Sequence, residues 1–162
     1  FSTLQIKNLS LNFYSAGNCE QIINEYKSTS SIIKQHGFVS HSESIDAIKK
    51  AKFLVNIGNN ATDMVPSKLF EYISTGKPII HFYYDENDSC LPYLSEYPLS
   101  LIIKMDEAKI DKNRILVSEF IESHRFYEPM NIIEIESIFK KNTPKYTTQL
   151  IERILVDDET TC

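Results

Sequence analysis

The stretch from Asp63 to Glu71 carries side chains whose types and spacing suggest chemistry. Asp63 lies on a predicted loop, and Ser67, Lys68 and Glu71 fall at the start of the helix predicted to follow it. A carboxylate held rigidly on a helix can accept hydrogen bonds from two neighbouring hydroxyls of a sugar. A helix N-terminus offers unpaired N–H groups and a positive dipole end to a phosphate. The stretch therefore offers groups that suit a ligand carrying phosphate and neighbouring hydroxyls.

The same residues also have a purely structural interpretation. Lys68 and Glu71 are three positions apart, so on a helix they can form a solvated ion pair that contributes roughly a few tenths of a kcal/mol. Asp63 can close an Asx turn within its loop. Residue type and spacing alone leave both interpretations open.

Short apolar runs alternate with longer amphipathic stretches along the chain, and the two patterns predict strands and helices respectively. Strands are predicted at 9–14, 37–39, 53–57, 78–82 and 99–103. Helices are predicted by the apolar spacing at 22–33, after Ser42, and at 67–74, 110–124, 132–140 and 144–156. The expected helix caps are Ser42 for the second helix, a left-handed Gly76 after the third, and Thr143 for the last.

This order of elements predicts an α/β fold, with a Rossmann-like parallel sheet covered by helices on both faces. Runs 53–57 and 79–82 are almost continuously apolar, as central parallel strands are when both of their faces are buried. We expect one domain over 1–156 and a frayed polar tail at 157–162. Ligands of such sheets bind beyond the carboxyl ends of the strands, which directs attention to 14–18 and 58–68.

Composition excludes several other classes of function. The chain has 162 residues, of which 42% are hydrophobic and 24% charged, as in ordinary globular domains. The net charge of -5 and the scattered lysines argue against nucleic-acid binding. Cys19, Cys90 and Cys162 are too widely spaced for a zinc site and indicate a reducing compartment. No apolar run is long enough to span a bilayer, so we expect a cytoplasmic protein.

The segment from Asp63 to Pro78 closely resembles the donor-binding motif of retaining GT-B glycosyltransferases. An acidic loop residue, seven intervening residues, an acidic helix residue and the turn Gly76-Lys-Pro-Ile-Ile80 all follow the family's pattern. The variant Pro66-Ser-Lys-Leu-Phe-Glu-Tyr72 is similar to a bacterial subgroup that builds surface polysaccharides. The order of elements also matches the C-terminal domain of that fold. The resemblance thus covers most of the chain and implies that an N-terminal, acceptor-binding domain is absent from it.

The resemblance implies a role for each polar residue of the motif. Glu71 would bind the ribose, Asp63 the hydroxyls of the donor sugar, and Ser67 and Lys68 the diphosphate at the helix start. The catalytic residues stay unknown, with Asp63 and Lys68 as the candidates. The resemblance implies an enzyme that needs no bound metal and no cofactor. The donor, which we expect to be a UDP-linked sugar, is a substrate.

Two further regions correspond to donor contacts in the family. Gly17 matches the glycine-rich turn after the first strand, and Phe38 and Val39 match a segment that contacts the base, often through backbone groups. Basic residues normally follow the glycine-rich turn, but the next one in this chain is Lys27. Lys68, the helix dipole or the other half of the protein then holds the diphosphate, or the protein has lost activity.

The resemblance implies transfer of a sugar to a glycan or lipid-linked acceptor, by a full-length protein that can associate peripherally with the inner face of the membrane. The leaving diphosphate would be stabilised electrostatically. We expect the chain alone to bind donor weakly and to transfer nothing. Two alternatives remain: a nucleotide-sugar epimerase of the same fold, and a non-catalytic domain for donor binding or partner interaction. A receiver-like signalling domain is disfavoured, because 15–17 lack clustered acids.

Overall fold

The computed structural model of the protein describes residues 6, 8–15, 17, 19–58 and 64–159. Its strands are β1 (Leu11–Phe13), β2 (Ile33–Gln35), β3 (Leu54–Ile57), β4 (Ile79–Tyr83) and β5 (Ser100–Lys104). Its α-helices are α1 (Cys19–Thr29), α2 (His41–Lys50), α3 (Ser67–Ser74), α4 (Leu91–Glu96), α5 (Ile110–Ser123), α6 (Ile132–Ile138) and α7 (Pro144–Glu159). Short 3-10 turns cover Glu107–Lys109 and Lys140–Asn142.

The strands in the described part of the chain form two parallel sheets. β1 pairs with β2, with Leu11 opposite Ile33, and β4 lies between β3 and β5 in the second sheet. A helix follows each strand and returns the chain to the start of the next one, as parallel pairing requires. The predicted α/β class with parallel strands is confirmed.

Two adjacent residues of β4 show that helices cover both faces of the larger sheet. Ile79 and Ile80 are both 0% exposed, and successive residues of a strand point to opposite faces. Ile79 belongs to a core cluster that draws buried residues from α2, α3, α4 and α6. Ile80 belongs to a second cluster, whose other members include Val117 and Ile121 of α5. The predicted Rossmann-like layering is therefore confirmed.

Helix α3 has the bounds that the sequence predicts, and its orientation follows from its apolar residues. Leu69 and Ile73 lie four positions apart, share one face of the helix, and are 0% and 2% exposed. Burial of that face turns Lys68 and Glu71 away from the core, and both side chains are about one-third exposed, at 38% and 32%.

Gly76 ends α3 as predicted. Its φ of 67° lies in the left-handed region, where a Cβ is unfavourable. A Cβ there would also lie 2.1 Å from the carbonyl oxygen of Met130, whose N–H donates to the Gly76 carbonyl at 3.0 Å. Gly76 thus allows the chain before α6 to pass directly over the end of α3. The predicted cap of the last helix is confirmed too, because Thr143 Oγ1 accepts from the Tyr146 N–H at 3.3 Å.

The sequence analysis misplaced the elements between Thr29 and His41. The predicted strand at 37–39 is wrong. The strand in this part of the chain is β2, which ends at Gln35, and Gly37, with a φ of 73°, lies beyond that end. The helical spacing at 22–33 is wrong in its last part, because α1 ends at Thr29 and Ile33 is buried in β2. The N-cap of α2 is Ser40, not Ser42; Ser40 and Glu43 form a reciprocal capping box.

Two helices differ from expectation in other ways. The sequence analysis predicted no helix at α4, which has six residues with a proline in its first turn. Helix α7 continues to Glu159, beyond the predicted end at 156. In the described part of the chain, every helix falls short of the length and apolar character that crossing a membrane requires.

Candidate functional site

The starts of α2 and α3 meet at the carboxyl ends of the strands that precede them. Helix α2 follows β2, and α3 follows β3. Lys68 Nζ, at the start of α3, donates to Ser44 Oγ of α2 at 3.2 Å, which brings the two helices together. Ligands of open parallel α/β sheets bind at such an edge. Ser44 was missed by the sequence analysis, because it belongs to no motif and its contact spans 24 residues.

Lys68 and Glu71 form the ion pair that their spacing allows. Lys68 Nζ lies 2.7 Å from Glu71 Oε2, and both side chains remain accessible to solvent. The pKa of the neighbouring Tyr72 is raised by burial first and by the charge of Glu71 second. The structural interpretation of the pair is therefore correct, but it does not compete with ligand binding. The pair places a cation and a carboxylate side by side on the exposed face of α3.

The N-terminus of α3 has no side-chain cap. Its N-cap residue is Pro66, which makes no capping hydrogen bond, and the first turn contains no acidic residue. Helices α2 and α6 differ, because their N-caps Ser40 and Asn131 each form a capping box with a glutamate. Since the first N–H groups of a helix lack partners within it, the start of α3 at Ser67 is suited to an anion.

Gly17 lies before α1, where the predicted glycine-rich turn belongs. Its φ is 95°, a Cβ would meet nothing within 4 Å, and its carbonyl accepts from the Glu20 N–H at 3.0 Å. The backbone is thus open at this turn, but the acidic residue of the first turn is Glu20. Lys27 lies in the last turn of α1, about 12 Å along the helix axis from its first residue, Cys19. Between the two helix starts, that of α3 is better suited to a diphosphate.

Phe38 and Val39 lie in the connection between β2 and α2, not in a strand. Phe38 is 85% exposed and Val39 is partly buried. Nearby, the rings of Tyr14 and His36 stack with centroids 4.4 Å apart, each directly after the end of its strand, β1 or β2. The sequence analysis missed this stacked pair because it misplaced β2.

Asp63, the remaining predicted site residue, lies outside the described residues. The structure therefore brings together Ser67, Lys68 and Glu71 of the predicted site, adds Ser44, and leaves Gly17 on another helix start. Within the described ranges, no group of three or more His, Cys, Asp and Glu side chains is arranged to hold a metal ion.

A buried polar cluster lies beneath this edge of the sheet. Asn56 Nδ2 is 2.9 Å from His81 Nδ1, and His81 Nε2 faces Asp88 Oδ2 at 3.5 Å. The exposed fractions of the three residues are 9%, 0% and 4%. Burial lowers the pKa of His81 more than Asp88 and Asn56 raise it, so the ring is neutral near pH 7. The contact with Asn56 makes His81 a hydrogen-bonded structural histidine.

Cys90 borders this cluster and is chemically protected. Its N–H donates to Asp88 Oδ1 at 2.8 Å, and its side chain is 2% exposed. Burial, the largest influence, raises the pKa of the thiol to about 11, and the charge of Asp88 adds to the effect. A thiol that stays protonated and inaccessible is not a nucleophile, so Cys90 is a structural residue.

Comparisons with protein-family models, with curated proteins and with solved structures gave no match for this chain.

Proposed function

We propose that the chain is the donor-binding domain of a glycosyltransferase, which moves a sugar from a nucleotide-linked donor to a glycan or lipid-linked acceptor. The observation that carries the proposal is the arrangement at α3. An uncapped helix start, an accessible lysine and an accessible glutamate lie within five residues, on the helix that follows parallel strand β3. A nucleoside diphosphate is recognised by such groups. N–H donors and a positive charge bind its diphosphate, and a carboxylate accepts hydrogen bonds from its ribose hydroxyls.

Each residue then has a defined role. The N–H groups at Ser67 and Lys68 bind the diphosphate, and Lys68 Nζ supplies a full positive charge beside it. Glu71 accepts from the two ribose hydroxyls; Lys68 engages only Oε2, at 2.7 Å, and holds the carboxylate in place. Because negative charge accumulates on the leaving diphosphate during transfer, the same donors stabilise the transition state. The acceptor comes from a second domain, as the resemblance to GT-B enzymes implies.

Titration calorimetry of the chain with UDP and GDP tests this proposal. We expect wild-type binding to one or both nucleotides, and a rise in Kd of about 10- to 100-fold in Glu71→Gln, because hydrogen bonds to a charged group contribute about 1.5–3 kcal/mol. Glu122→Gln is the matched control, since Glu122, near the end of α5, pairs with Arg125 just beyond it at the same i,i+3 spacing. Equal binding by wild type and Glu71→Gln would remove Glu71 from the site.

A non-catalytic donor-binding domain is the second candidate, and one observation favours it. The turn at Gly17 lacks the basic residues that normally follow it in the GT-B enzymes that the motif resembles, and instead places Glu20 in the first turn of α1. Such a domain would bind nucleotide equally well but would never transfer sugar. Assaying sugar transfer by the full-length protein with a nucleotide-sugar donor separates the two: turnover supports the enzyme, and nucleotide binding without turnover supports the second candidate.

A further inference from the structure

The connection between β4 and α4 forms a compact turn, Asp85–Cys90. Asp85 Oδ1 accepts from the Asn87 N–H at 2.9 Å, and the Asp85 carbonyl accepts from the Asp88 N–H at 3.0 Å. Unlike Asp85, Glu86 and Asn87, which are exposed, Asp88 is only 4% exposed. The turn is thus held by its own hydrogen bonds and directs one carboxylate inward.

The Asp85–Cys90 turn contacts the chain on both sides of the connection from β3 to α3. On the α3 side, Ser89 Oγ donates to the Met64 carbonyl at 2.9 Å, two residues before the N-cap Pro66. On the β3 side, Asp88 Oδ2 lies 1.9 Å from the position that a Cβ on Gly58 would occupy. Gly58 is itself tied to β4, because its N–H donates to the Phe82 carbonyl at 2.7 Å.

We propose that the Asp85–Cys90 turn is the positioning element of the donor site, with Ser89 and Asp88 setting where the start of α3 lies relative to the sheet. The inference rests on the proposed function, which places the diphosphate at that helix start. Neither residue touches the ligand. Anion binding by backbone N–H groups depends on their placement to within about 0.5 Å, so a supporting hydrogen bond two residues before the N-cap controls affinity. Ser89 acts through Met64, and Asp88 acts by filling the space beside Gly58.

Ser89→Ala in the 162-residue chain tests the proposal, with Ser95→Ala as the matched control. Ser95 Oγ also donates to a backbone carbonyl, that of Pro92 at 2.9 Å, but this bond lies within α4 and does not reach the connection before α3. We expect Ser89→Ala to raise the Kd for UDP about tenfold, with Tm within about 2 °C of wild type. Ser89→Thr, which keeps a hydroxyl, should restore affinity to within about threefold, and Ser95→Ala should bind as wild type does.

Hydrogen exchange provides a second readout that needs no ligand. In Ser89→Ala, the amides of Leu69–Tyr72 at the start of α3 should exchange about three- to tenfold faster, and in Ser95→Ala they should not change. Unchanged exchange in Ser89→Ala overturns the positioning role, and so does unchanged UDP affinity when the wild type binds UDP. Failure of the wild type to bind any nucleotide overturns the proposed function instead, while the exchange rates still decide whether the turn positions α3.

Discussion

Glu71 Oε2 accepts from Lys68 Nζ at 2.7 Å, and the same Nζ donates to Ser44 Oγ at 3.2 Å. The lysine therefore links α2 to the carboxylate that we propose as the ribose ligand. An exposed i,i+3 pair by itself contributes little to stability. Its value here is geometric, because it fixes a cation and an anion above an uncapped helix start.

Replacement of Lys68 by methionine should weaken nucleotide diphosphate binding about tenfold, because one charge-assisted contact to the diphosphate is lost. The remaining affinity should also depend less on salt, since fewer charges contribute to it. Calorimetry with UDP at two ionic strengths measures both effects. Lys109→Met is the control, because Lys109 pairs with Asp106 at the same spacing, 3.2 Å apart, in another part of the surface. Equal loss in both variants would refute a specific role for Lys68.

Replacement of Gly58 by alanine should reduce the free energy of unfolding by about 1–3 kcal/mol, because its Cβ would overlap Asp88 Oδ2. The φ of Gly58 is not positive, so the cost arises from the clash and not from the backbone. Urea denaturation of Gly58→Ala, Asp88→Ala and the double variant measures the coupling. We expect the double variant to lose less than the sum of the single variants. Strict additivity would show that the two residues do not meet.

The stability of the fold should fall as the pH drops below about 6.5, the ordinary pKa of histidine in an unfolded chain. Burial holds the pKa of folded His81 below that value, so the unfolded chain takes up a proton that the folded chain does not bind. The decrease is at most about 1.4 kcal/mol per pH unit, and it ends once the pH falls below the folded pKa. Urea denaturation at several pH values between 5.5 and 7.5 measures this decrease in the free energy of unfolding.

Two variants identify the residue responsible for this pH dependence. His81→Asn should flatten the slope, whereas His41→Asn, on the exposed first turn of α2, should leave it unchanged. Glu43 and Asp106 have lowered pKa values, through hydrogen bonds from Ser40 and Lys109 respectively. Their contributions are lost only as the pH falls further, below their ordinary values near 4.5 and 3.8, and so lie outside this window. A slope that persists in His81→Asn would contradict the assignment.

The sequence predicted best where local rules and tertiary packing agree. Helix α3 has its predicted bounds because Leu69 and Ile73 repeat at the helical period, and Gly76 is left-handed where the chain must turn. Prediction from the sequence failed where the same short stretch fits both a helix and a strand. Ile33 fits a helical repeat with earlier apolar residues, but pairing with Leu11 places it in β2. Only the register of another strand decides between the two, and that information is not local.

The contacts that complete the site could not be inferred from spacing. Ser44 meets Lys68 across 24 residues, and Asn56 meets His81 across 25, through the pairing of β3 with β4. Asp88 follows Asp85 and Glu86 closely in the chain, and nothing in its residue type distinguishes it from them. Its burial depends on the fold of the turn and on the absence of a side chain at Gly58. Residue types indicated which groups can do chemistry, whereas strand register determined which of them meet.

The central claim is that Glu71 binds the ribose of a nucleotide donor, and binding of UDP and 2′-deoxy-UDP to two proteins tests it most directly. Wild type should bind UDP about tenfold more tightly than 2′-deoxy-UDP, because the deoxy ligand lacks one hydroxyl that the carboxylate accepts from. Glu71→Gln should bind both ligands weakly and nearly equally, since the preference arises from the interaction that the substitution weakens. If Glu71→Gln keeps the full preference for UDP, another residue recognises the ribose and the claim is wrong.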